Sequence, residues 1–184
     1  MYKVGLGVAV LAAGLFVAPV AHAQMKVTSD DIKNGAVGTK EMEANVFGCN
    51  GQNQSPSLKW TGAPEGTKSF AINLYDPDAP TGSGFWHWLV VNIPANVSEL
   101  AEGAGSAPGN LPAGVLQTRT DFGAPGYGGP CPPVGDHPHR YLFTVFAVKT
   151  DKLDVKADTS AAIVGFNLHF NTLARAEIMG LFKR

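Results

Sequence analysis

The chain is expected to fold as one mostly β domain with a single helix near its end, and three observations predict this. Its 22 glycines and 13 prolines are spread along the sequence, which favours many turns and short strands over long helices. Three runs, at residues 69–75, 86–93 and 141–148, are apolar over strand lengths, the first with a clear period of two. Only the stretch from 159 to 173 repeats apolar residues at helical spacing. A length of 184 residues suits one domain with a real core.

Residues 1–23 carry one positive charge at Lys3, an apolar run from 4 to 20, and Ala21-His22-Ala23. That pattern reads as a secretory signal cleaved before Gln24, leaving residues 24–184 as the domain with no stable membrane anchor. An uncleaved anchor is the runner-up, since the run is nearly long enough to span a bilayer. The 15 acidic and 14 basic residues are close to balanced and show no basic cluster, so nucleic acid is excluded as a partner. In an oxidising compartment Cys49 and Cys131 pair most simply as one disulfide, worth about 4 kcal/mol in the chain-entropy model. Two buried free thiols are the alternative.

In chain order, residues 25–29 make a first strand, and 47–56 form a turn-rich loop that leads to a short strand at 57–60. Phe70, Ile72 and Leu74 define one face of the strand at 69–75. The run at 86–93 is apolar on both faces, as a buried strand is, and simple alternation puts His87 on the same face as Leu89, Val91 and Ile93. A short strand at 115–119 precedes a long loop from 124 to 140, whose glycines and prolines are incompatible with helix or central strand. Tyr141, Phe143 and Val145 share one face of the strand at 141–148. The helix is read as the last element, capped by Thr159 or Ser160, with Ile163, Phe166, Phe170 and Leu173 as the stripe that packs on the sheet.

Chemistry is concentrated at two loop–strand junctions. One supplies Asp76, Asp78 and His87, and the other supplies His139, Arg140 and Tyr141 after the Pro132-Pro133 loop. If the strands share a sheet, these groups converge on one pocket. Imidazoles and glycine-rich backbone can donate hydrogen bonds to an anion, while the carboxylates orient the imidazoles or hold an ammonium group. Asp78 either reaches the ligand or hydrogen-bonds within its own turn, and Arg140 can pair with either aspartate. Catalysis is not expected, because no G-x-S-x-G elbow is present. No cofactor and no metal are expected either, since no helical His-x-x-x-His spacing occurs.

Asp76-Pro77-Asp78-Ala79-Pro80, the Trp86-His87-Trp88-Leu89-Val90 run, and Gly129-Pro130-Cys131-Pro132-Pro133 through His139-Arg140-Tyr141 occur in that order. Together they resemble the phosphatidylethanolamine-binding protein (PEBP) family, in particular its bacterial Raf-kinase-inhibitor-like (YbhB/YbcL) branch. The resemblance extends over nearly all of residues 24–184. It implies a large central antiparallel sheet, a smaller second sheet and a C-terminal helix. It also implies a pocket for a phosphate-type anion or phospholipid head group, with Asp76, His87, Pro132, Pro133, His139 and Tyr141 at matching positions and Asp78 supporting the turn. The sequence departs from the family where His137 and Pro138 precede the His-Arg pair, and in the tail, which lacks a closing tyrosine. The expected function is that of a periplasmic or secreted bacterial binding protein, with a regulatory role open and the protein partner unknown. A protease- or kinase-inhibitor-type interaction protein is the alternative, followed by a weak hydrolase.

Overall fold

A computed structural model describes residue 1 and residues 24–32, 35–37, 39–106 and 110–184. Apart from residue 1, the segment read as a secretory signal lies outside the described residues. Among the described residues, eight strands and one helix follow in order: β1 (Lys26–Thr28), β2 (Leu58–Thr61), β3 (Ser69–Asp76), β4 (Phe85–Pro94), β5 (Glu99–Leu100), β6 (Leu116–Gln117), β7 (His139–Val148), α1 (Ala161–Asn171) and β8 (Thr172–Phe182). They form a five-stranded antiparallel sheet in the order β6-β4-β3-β7-β8 and a three-stranded antiparallel sheet in the order β1-β2-β5.

The two faces of the large sheet bury different partners. Phe70, Ile72 and Leu74 of β3, with Tyr141, Phe143 and Val145 of β7, pack toward Leu58, Trp60 and Leu100 of the small sheet. On the opposite face Ala71, Leu89, Val91, Phe146 and Val148 meet α1. The alternation read in 69–75 and 141–148 therefore marks the core between the two sheets, since the hydrophobic gain is largest where both faces lose water.

Two irregularities in β4 break its alternation. Between Phe70/Ile93 and Ile72/Val90 the ladder slips by one residue, and Asn92 takes the extra place with a left-handed φ of 63°. Its side-chain Oδ1 accepts from the Leu153 amide at 2.8 Å, so the bulge also ties down the chain before the helix. A second slip falls between Leu74/Trp88 and Tyr75/Trp86, leaving His87 as the unopposed residue. Simple alternation groups His87 with Leu89, Val91 and Ile93, and the structure corrects this. The bulge at His87 turns its ring toward Tyr141, and the bulge at Asn92 transfers Ile93 to the inter-sheet core.

The end of the chain differs in two ways from the sequence expectation. The helix is not the last element, because the 11-residue strand β8 follows it directly. The helix also buries a different face: Ala161, Val164 and Leu168 pack on the sheet, while Ile163, Phe166, Phe170 and, in β8, Leu173 are exposed. Both rows have helical spacing, and the smaller residues of the buried row permit closer approach to the sheet. Ser160 stands at the N-cap without a side-chain cap bond. Among the described residues no helix is long and apolar enough to cross a membrane.

The outer side of β8 is partly covered. Ala36 pairs with Leu181 in a parallel bridge, with Val37 N–H donating to the Leu181 carbonyl at 3.2 Å and Leu181 N–H to the Gly35 carbonyl at 2.6 Å.

Candidate functional site

The ends of β3, β4 and β7 meet the loop before β7 around a cavity of about 340 Å³. Asp76, His87, Pro132, Pro133, His139 and Tyr141 all line it, together with Phe47, Phe85, Phe122, Cys131 and Arg184.

Asp76 closes β3 and is buried. Its Oδ1 accepts the amides of Asp78 and Ala79 at 2.9 and 3.1 Å, an Asx-type turn that the following prolines reinforce. Its Oδ2 lies 2.8 Å from His139 Nδ1. The other nitrogen of His139, Nε2, lies 3.2 Å from Asp136 Oδ2. Burial works against charge on this ring, but the two carboxylates prevail and raise its pKa above the ordinary value. His139 thus favours the imidazolium, with both N–H groups already engaged, and it acts on the cavity through its charge and its anchoring of Asp76.

His87 is a different kind of group. Its Nδ1 lies 2.9 and 3.1 Å from the carbonyls of Gly128 and Gly129, so this nitrogen carries the proton. Gly129 has to be glycine, since a Cβ there would collide with the Met42 carbonyl. Phe85, Phe122 and Tyr141 stand edge-on to the imidazole with centroids 5.1–5.3 Å away. Burial lowers its pKa, although the glycine carbonyls and Asp76 oppose this, so the ring is neutral and Nε2 presents a lone pair. Beside it the buried Tyr141 hydroxyl makes no well-formed hydrogen bond, with the Asp76 carboxylate and the Cys131 backbone as its polar neighbours. Burial, aided by the Asp76 carboxylate, pushes that phenol far above its usual range, so it remains an O–H donor.

Asp78 stands apart from the cavity. Its carboxylate accepts from Arg140 through the backbone N–H and Nε, both at 2.8 Å, and through Nη2 at 2.7 Å. The Arg140 guanidinium holds the Asp78 carboxyl down at about 2. His137 is exposed and hydrogen-bonds Asp136.

Cys49 and Cys131 form a disulfide that joins the loop before β2 to the cavity wall. Arg184 braces the same region: its Nε donates to the Pro132 carbonyl at 2.9 Å and its Nη2 to the Phe47 carbonyl at 3.4 Å. Phe47 stacks on Phe122 with centroids 5.9 Å apart, completing an aromatic rim with Phe85. Sequence reasoning missed Phe47, Phe122, Asp136 and Arg184. The one available signal was an aromatic next to a glycine in each of Phe47-Gly48 and Phe122-Gly123.

Chemically the site joins an apolar rim to one donor at Tyr141, one acceptor at His87 Nε2, and the positive charges of His139 and Arg184. Comparison with known proteins agrees in both sequence and fold. The family model described as "Phosphatidylethanolamine-binding protein" matches residues 28–183. UPF0098 protein YbcL of Escherichia coli K12 is 54% identical over 162 residues, covering 88% of each chain. YbhB of the same organism is 51% identical, covering 86% of this chain and 99% of its own. The crystal structure of E. coli YbcL, described as a new member of the mammalian PEBP family, superposes with a TM-score of 0.85 at 53% identity. It covers 88% of this chain and 99% of that one. With a family model matched over nearly all of the described domain and relatives above half identity, the chain belongs to the phosphatidylethanolamine-binding protein family.

Proposed function

We propose that the protein is an exported binding protein whose pocket holds a phosphate-type anion or phosphorylated head group. The observation that carries this reading is the buried Tyr141 hydroxyl at the cavity wall, which makes no well-formed hydrogen bond within the protein although the Asp76 carboxylate and the Cys131 backbone are near it. A singly protonated phosphate supplies what both polar groups lack. Its anionic oxygen accepts from Tyr141, and its P–OH donates to the lone pair of His87 Nε2. The imidazolium of His139 and the guanidinium of Arg184 add favourable charge, while Asp76 disfavours a fully ionised ligand. The aromatic rim accommodates the carbon chain of a head group.

Calorimetric titration with inorganic phosphate and with phosphoethanolamine tests this. The wild type is expected to bind both, and Tyr141→Phe to weaken binding by about tenfold, the loss of one hydrogen bond to a charged group. Because the hydroxyl makes no well-formed bond within the protein, Tyr141→Phe should change unliganded stability by less than about 1 kcal/mol. Absence of binding heat with either compound, in folded protein, would refute the reading. Export is supported by the Ala21-His22-Ala23 pattern and by the Cys49–Cys131 disulfide. N-terminal sequencing of protein from fractionated cells should find Gln24 first, in the periplasm or the medium.

A further inference from the structure

Asp136, His137 and His139 bring three ligand atoms within 4.8 Å of one another, and of these residues the phosphate reading draws only on the charge of His139. We propose that they form a zinc site of two imidazoles and one carboxylate at the edge of the cavity. His137 Nδ1 lies 2.8 Å from Asp136 Oδ1, and His139 Nε2 lies 3.2 Å from Asp136 Oδ2. Ligand atoms on a tetrahedral zinc stand roughly 3.3 Å apart for bonds near 2.0–2.1 Å, so coordination requires this cluster to draw together, with rotation of the exposed His137 side chain available to do so. The ring centroids of His137 and His139 are 5.3 Å apart. Pro138 between them biases His137 toward an extended backbone, the conformation in which residues two apart lie on one side of the chain.

The independent observation is behind His139. Its Nδ1 faces the buried carboxylate of Asp76 at 2.8 Å, which fixes the ring and directs Nε2 outward to Asp136 and His137. A histidine ligand backed by a carboxylate on its second nitrogen is the usual support for a metal-bound imidazole. Two nitrogen ligands and one oxygen suit zinc and leave a coordination position for water, with zinc taking the place of the proton on His139 Nε2, which is released to solvent. The ligands come from a loop and the strand that follows it, so no helical His-x-x-x-His spacing announces them.

The test uses tag-free full chain, stripped with chelator and titrated with Zn(II) by calorimetry and with Co(II) by visible absorption. One zinc per chain is expected. His137→Ala and Asp136→Asn should each weaken binding at least about tenfold, with loss of the cobalt absorption, while His169→Ala should behave as wild type. Wild-type affinity in His137→Ala, or wild-type binding no tighter than that of His137→Ala, would overturn the proposal. Unfolding curves of the stripped variants show that each is folded; His137 is exposed, so its removal disturbs no core. Zinc coordination draws on neither Tyr141 nor His87. Phosphate binding measured without zinc should therefore be the same in His137→Ala as in wild type, and the two readings stand or fall separately.

Discussion

At Asp78 the carboxylate is held by three donors of one residue, Arg140, so its charge serves the turn after β3 and does not reach the cavity. The stability it confers has a definite pH signature. Its folded pKa, about 2, lies below the ordinary 3.8, so the contribution is present above the unfolded value and is lost as pH falls through the folded one. Because Arg140 is half exposed, solvent screening reduces the effect to about 1–2 kcal/mol. Asp78→Asn is therefore expected to lower urea-unfolding stability by about that amount at about pH 7, with the gap to wild type closing as pH drops from about 4 toward 2. A gap independent of pH would assign the loss to packing in the turn. Asp76, two positions earlier, differs in kind: it is buried and shared between its own turn and His139.

At the scale of elements, the two sides of α1 should differ sharply in energetic weight. Leu168→Ala removes a side chain buried against the sheet and is expected to cost about 2–4 kcal/mol, whereas Phe166→Ala on the exposed row should cost under about 0.5 kcal/mol. Chemical denaturation of both variants decides which face packs, and equal losses would contradict the observed orientation. The same helix shows what sequence can and cannot convey. Its existence was legible, but two apolar rows share its spacing and only the sheet selects between them. Strands β3 and β7 were legible because large apolar residues alternate along them; β8 was not. Its inward residues, Ala174, Ala176, Ile178 and Gly180, are mostly small, and Leu173, Met179 and Leu181 face outward, which erases the contrast. In the site, Asp76, His139 and Tyr141 could be read because they sit at strand ends. The aim of His87 depends on a bulge, and Phe47 and Arg184 reach the cavity only through contacts between remote segments.

Across the whole molecule, the cavity wall draws on residues from Phe47 to Arg184, so the site exists only when distant parts of the chain are joined. The Cys49–Cys131 bond spans 82 positions and fastens two of those parts. Replacing both cysteines by serine should lower stability by about 4 kcal/mol in the chain-entropy model. It should also weaken phosphate binding, because Cys131 itself lines the cavity beside Pro132. Urea denaturation and calorimetry of the double variant check both outcomes. The Ala36–Leu181 bridge acts at the β8 edge of the large sheet. A strand margin with outward Met179 and Leu181 is the sort of surface on which a second molecule adds itself and growth continues. With the backbone groups of Leu181 already engaged by Gly35 and Val37, that margin offers an interrupted template, and crowded chains lose a route to stacking into fibrils.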